Sequence, residues 1–137
     1  MAPRFVYKIL PYTGRYYIPE PVPASFALPM TELDAKDGFV HLSTCDQVDG
    51  VLKRFYGPEY YSDAQIQLVR IDYERLSAWK TVKWEQAAGS QFPHLYNADV
   101  EGKDLSMRPL ELLKRSGDEK GWTPALDRLR QSGWFVN

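Results

Sequence analysis

The stretch from residue 38 to residue 58 constrains this chain more than any other. GFVHLST (38–44) follows the turn pair Asp37-Gly38 and reads as a strand. Alternation places Val40 and Leu42 on one face and Phe39, His41 and Ser43 on the other. Thr44-Cys45-Asp46-Gln47 then has the form of a capping box, in which Thr44 and Gln47 satisfy the first unpaired amides of a helix. Val48, Val51, Leu52 and Phe55 follow at helical spacing, and Gly57-Pro58 ends the run. Strand, tight turn and helix therefore succeed one another directly, with His41 just ahead of a helix N-terminus.

The flanking sequence predicts more strand than helix. FVYKIL (5–10) is rich in β-branched and aromatic residues and stops at Pro11. Residues 11–36 carry Pro19, Pro21, Pro23 and Pro29, so a surface excursion is expected, with one short turn near 31–35 that Thr31–Asp34 could cap. QIQLVRI (65–71) is apolar on both faces and reads as a central strand, followed by a short turn over 72–76. AWKTVKWE (78–85) reads as a strand, 87–91 as a loop, and FPHLY (92–96) as a short extended segment or turn. A last strand is expected over 105–112, interrupted at Pro109. The stretch 115–121 is polar and read as exposed. Thr123-Pro124 marks a helix start, Gly133 its end, and Trp134-Phe135-Val136 is expected to fold back onto the body. The fold class is α+β: a small split or mixed β-sheet body with few helices.

With 137 residues the chain suits one domain, with a body over 5–112 and a C-terminal extension over 113–137. Seventeen basic and 18 acidic residues leave a net charge of -1, which argues against a nucleic-acid-coating surface. A single cysteine, Cys45, excludes an internal disulfide and a cysteine-based zinc cluster. No apolar run approaches the ~20 residues that span a bilayer. The N-terminal residues carry no recognisable secretory signal, so a soluble, cytoplasmic protein is expected, with no membrane partner.

Chemistry concentrates in two motifs. The chain's two histidines, His41 and His94, lie in DGFVHLST and FPHLY. Histidine suits proton transfer and hydrogen bonding to hydroxyls or phosphates; the plainer reading is a strand imidazole bonded to backbone. No HxH or HxxxH spacing supports a metal, and none is expected. Ser43 and Thr44 lie at a strand-to-helix junction beside free amides, a place that suits an anion, although Thr44 is accounted for by capping. Glu85 ends a strand beside Trp84, either as a functional carboxylate or as a surface partner of Lys80 or Lys83. No GxSxG elbow points to a nucleophilic serine.

YKI (7–9), DGFVHLST (37–44), Gln47, LVRID (68–72), VKWE (82–85) and FPHLY (92–96), in that order, resemble the DUF952 family, small proteins of unassigned function. The match departs at 11–36, proline-rich where the family usually has a helix, and at 113–137. DUF952 proteins are similar in fold to the ADP-ribosyltransferase group. That resemblance implies an ADP-ribosyltransferase-like body and a cleft for a nicotinamide nucleotide, with NAD as substrate. It also implies that His41 holds the ribose, Glu85 activates it, and Phe92 or Tyr96 stacks on the base. The expected site comprises His41, Glu85 and His94 as catalytic residues and Ser43, Thr44, Phe92 and Tyr96 as ligand-binding residues. The alternative is a non-catalytic module that binds a small ligand or a partner through the same cleft.

Overall fold

Alternation along the first strand, β1 (Phe5–Pro11), buries both of its faces, because layers pack on either side of the sheet. In the computed structural model, which describes residues 2–115 and 121–137, ten regular elements follow one another. After β1 come α1 (Glu32–Asp37), β2 (Val40–His41), α2 (Cys45–Phe55), β3 (Gln65–Asp72) and α3 (Tyr73–Trp79). The hairpin β4 (Thr81–Ala87) and β5 (Ser90–Tyr96), then β6 (Leu105–Lys114) and α4 (Thr123–Gln131), complete the chain.

The strands form two three-stranded sheets, ordered β1-β3-β6 and β2-β5-β4, and every pairing is antiparallel. The split expected from the sequence is present, but neither sheet is mixed. A reciprocal pair of backbone hydrogen bonds between Tyr7 and Ser43, 2.8 and 3.0 Å, joins the two sheets where β2 runs toward α2.

β3 is central, as its two-sided apolar pattern predicts. Phe5, Tyr7, Ile9, Ile66 and Leu68 face α2, α4 and the C-terminal residues Trp134 and Phe135. Val6, Leu10, Val69 and Ile71 face the opposite layer, with Leu76 of α3 and Val40, Leu42 and Leu95 of the second sheet. The tail folds back as expected: Tyr7 donates its hydroxyl to Val136 O at 2.6 Å and packs edge-on against Trp134 and Phe135. The stretch 113–137 thus supplies Trp122, Leu126 and Phe135 to the core.

Several local expectations are corrected. Residues 72–76 open a helix, since Asp72 caps it by accepting from Arg75 N at 3.0 Å. Trp79 ends that helix, 88% exposed, and the following strand starts at Thr81. The expected loop over 87–91 is a two-residue hairpin turn, with Ala88 at φ 48° and Gly89 at φ 82°, and FPHLY is its returning strand. Thr123 enters α4 one position later than a cap, and its hydroxyl donates to Asp49 at 2.9 Å instead. Arg115 packs on Trp122 and donates to backbone carbonyls of Tyr56, Tyr61 and Asp63; the rest of the polar stretch, 116–120, lies outside the described residues. The β3–β6 ladder breaks between Val69 and Ile71, opposite the residues that precede Leu110, in keeping with Pro109.

Candidate functional site

The second sheet brings the two histidine motifs together. His41 and His94 are directly paired across β2 and β5, and Lys83 lies opposite His94 on β4. The strand expected over 38–44 is shortened to β2, and Phe39 lies in the bend just before it, its ring tilted over the site at 4.5 Å from the His41 ring, 4.2 Å from His94 and 5.1 Å from Tyr96. The histidine rings stand edge to face, 5.4 Å apart.

Each imidazole has its own carboxylates. His41 Nδ1 lies 2.8 Å from Asp34 and its Nε2 lies 2.9 Å from Asp37. Both nitrogens then face acceptors, and only the doubly protonated ring can donate to both. His94 Nδ1 lies 2.8 Å from Glu85 Oε1, and no hydrogen bond reaches its Nε2 among the described residues. Tyr96 donates to the same Glu85 oxygen at 2.5 Å. The Tyr96 hydroxyl and the His94 ring hold Glu85 below the ordinary carboxylate range, and the bond to Glu85 pushes Tyr96 up. Glu85 therefore carries its charge at neutral pH.

Asp34 anchors the His41 side from within. β1 alternation points Lys8 into an apolar layer beside Val6 and Leu10, so its ammonium needs a buried anion. Lys8 Nζ reaches Asp34 at 2.8 and 2.9 Å and His41 O at 3.0 Å. Asp34 also accepts from the backbone of Thr31 and His41. Burial alone would raise its carboxyl, but the His41 bonds and the Lys8 charge outweigh that and hold it well below the usual range.

A cleft of about 880 Å³ opens over these groups. His41, Ser43, Glu85, Phe92, His94 and Tyr96 all line it, so six of the seven expected residues meet there. Thr44 does not; it caps α2 and lines a separate depression with Trp84 and Asp46. Gln47 accepts from Thr44 N at 3.0 Å and donates to Ser90 and to Gln91 O, tying the helix start to the hairpin that carries Glu85 and His94. Glu85 is not a partner of Lys80 or Lys83. Lys80 is held by Glu101 and Asp104, and Lys83 lies over the Tyr96 ring.

Sequence reasoning missed Lys8, Asp34, Asp37 and Phe39 as members of the site. Asp37 stands four residues before His41, across the sharp turn at Gly38, and that spacing was the available signal for it. Among the described residues, no group of three or more His, Cys, Asp or Glu is placed to hold a metal ion, and no helix is long and apolar enough to cross a membrane.

Two split antiparallel sheets, four helices and a histidine-lined cleft define a small α+β protein. A family model described as "Protein of unknown function (DUF952)" matches residues 22–105, and the chain belongs to that family. The crystal structure of protein CC0527 from Caulobacter crescentus is similar at TM-score 0.63 and 22% identity, covering 90% of this chain and 98% of that one. The solution NMR structure of CC0527 is similar at TM-score 0.62 and 22% identity, covering 93% and 98%. At that identity the likeness establishes the fold alone. No curated protein matches the chain.

Proposed function

We propose that the chain is an ADP-ribosyltransferase-like enzyme that takes a nucleotide of the NAD class into this cleft and breaks its nicotinamide–ribose bond. One observation carries the reading: a charged carboxylate, Glu85, orients His94 while leaving the outer imidazole nitrogen open, in a cleft shared with His41 and Tyr96. The cleft has the size of small-molecule sites.

In the proposed reaction the bond from C1′ to the nicotinamide nitrogen breaks, and nicotinamide leaves with the electron pair. Glu85 stabilises the oxocarbenium-like ribose that remains. A hydroxyl acceptor, water or an alcohol, forms the new bond to C1′ and passes its proton to His94 Nε2. Phe92 and Tyr96 wall the base, and His41 and Ser43, which line the same cleft, orient the ribose and phosphates. NAD is the substrate, not a resident cofactor.

One finding favours a non-catalytic small-ligand or partner-binding module: both His41 nitrogens are already engaged by carboxylates, so the ribose-holding role needs one of them released. Calorimetric titration with NAD and ADP-ribose, with chromatography of released nicotinamide, separates the two readings. The enzyme gives heat and a nicotinamide yield that collapses in His94→Ala. The module gives heat without release. No heat with either ligand rejects the nucleotide site.

A further inference from the structure

The two acids on His41 are unequal. Asp34 is buried and pinned by Lys8, Thr31 N and His41 N, so it cannot leave Nδ1 without stranding a buried ammonium. Asp37 is 36% exposed and lines the cleft. It closes the last turn of α1, where the carbonyl end of a helix disfavours a carboxylate, and Gly38 follows it at φ 81°. Among the described residues, His41 is its one ionic partner. Phe39 stacks on the His41 ring and steadies it without Asp37.

The charges divide in the same way. Lys8 balances Asp34, which leaves His41 and Asp37 as a second pair at the cleft wall. Exchanging Asp37 for another anion keeps that balance. The cleft is also lined by Arg15 and Arg54, and Arg54 has no acidic partner among the described residues.

We infer that His41 Nε2–H is an anion-binding donor of the cleft and that Asp37 is a placeholder, displaced by a phosphate group of the ligand. The choice of phosphate rests on the nucleotide reading above, which it deepens. Asp37 then acts as a built-in competitor that keeps the donor satisfied in the empty cleft and sets a threshold for ligand affinity.

The test is titration of inorganic pyrophosphate into wild type, Asp37→Ala, Asp37→Asn, His41→Gln and the Asp37→Ala/His41→Gln double variant, with melting curves to verify folding. If Asp37 occupies the nitrogen about nine-tenths of the time, its removal tightens binding about tenfold. The gain is expected in Asp37→Ala, in smaller measure in Asp37→Asn, and is expected to vanish in the double variant. Unchanged or weaker binding in Asp37→Ala, an equal gain with His41 replaced, or no pyrophosphate binding by any variant overturns the inference. Nicotinamide release from NAD, followed on the same proteins, reports on the transferase chemistry separately. Tighter pyrophosphate binding without release rejects that chemistry and keeps the displaced Asp37; release without tighter binding does the reverse.

Discussion

His41 and His94 face one another across the β2–β5 ladder with their rings 5.4 Å apart, yet they are electrostatically distinct. His41 is enclosed by two carboxylates; His94 has one carboxylate and one open nitrogen. The aromatic face of Phe39 spans both, so the pair forms one wall of the cleft, with one ring bonded on both nitrogens and the other on one.

Asp34→Ala is predicted to be among the most destabilising substitutions near the site. It strands the buried Lys8 ammonium and should cost about 3–5 kcal/mol. Lys8→Met should cost less, because Asp34 keeps its bonds from His41 and Thr31. Urea unfolding of the two variants measures the order, and a larger loss in Lys8→Met contradicts it.

The same carboxylate predicts an acid limb. Its folded-state pKa lies below its unfolded value of about 3.9, so the contribution is complete above that value and fades as pH falls further. Between these values the unfolded chain binds the extra proton, which gives a stability that rises with pH. Urea midpoints measured from pH 2.5 to 6 should show a steep loss below about pH 4 in wild type. The slope should be shallower in Asp34→Asn.

Phe135→Ala should cost about 3–5 kcal/mol, since this nearly terminal side chain is fully buried against Tyr7. Burial also pushes the Tyr7 phenol up to about 12. Its share of stability is therefore complete below pH 10 and lost as pH rises toward 12. Alkaline absorbance titration of wild type against Tyr7→Phe checks this: one late-ionising tyrosine should be missing from the variant, while Tyr56, which burial pushes higher still, stays late in both.

For the proposed transferase, His94→Ala should lower nicotinamide release by on the order of 10²-fold or more, as removal of a general base does. Glu85→Gln should also slow it, because the amide neither stabilises the cation nor orients the imidazole in the same way. Tyr96→Phe removes only one bond to Glu85 and should be milder. Single-turnover kinetics at saturating NAD read the order directly.

The elements legible in the sequence were those set by local periodicity and turn chemistry: β1, β3, α2 with its Gln47 contact, and the returning tail. α3 was hidden because it buries only Leu76, too little for an apolar stripe, and its cap Asp72 reads equally well as a turn residue. The site was half legible. His41, Glu85, His94 and Tyr96 carry recognisable chemistry in dense motifs. Lys8 resembles an ordinary solvated lysine, and Asp34 an ordinary capping acid, until β1 is covered on both faces. Their roles arise from tertiary pairing, which no local window contains.

The proposed chemistry requires the two imidazoles and Glu85 to form one ligand site. With only two histidines in the chain, their side-chain NMR resonances can be followed individually during titration with ADP-ribose. Both should shift together and saturate at one ligand per chain, and the joint response should be lost in Glu85→Ala. Resonances that stay in place while ADP-ribose binds elsewhere, or that respond independently of one another, would contradict the account.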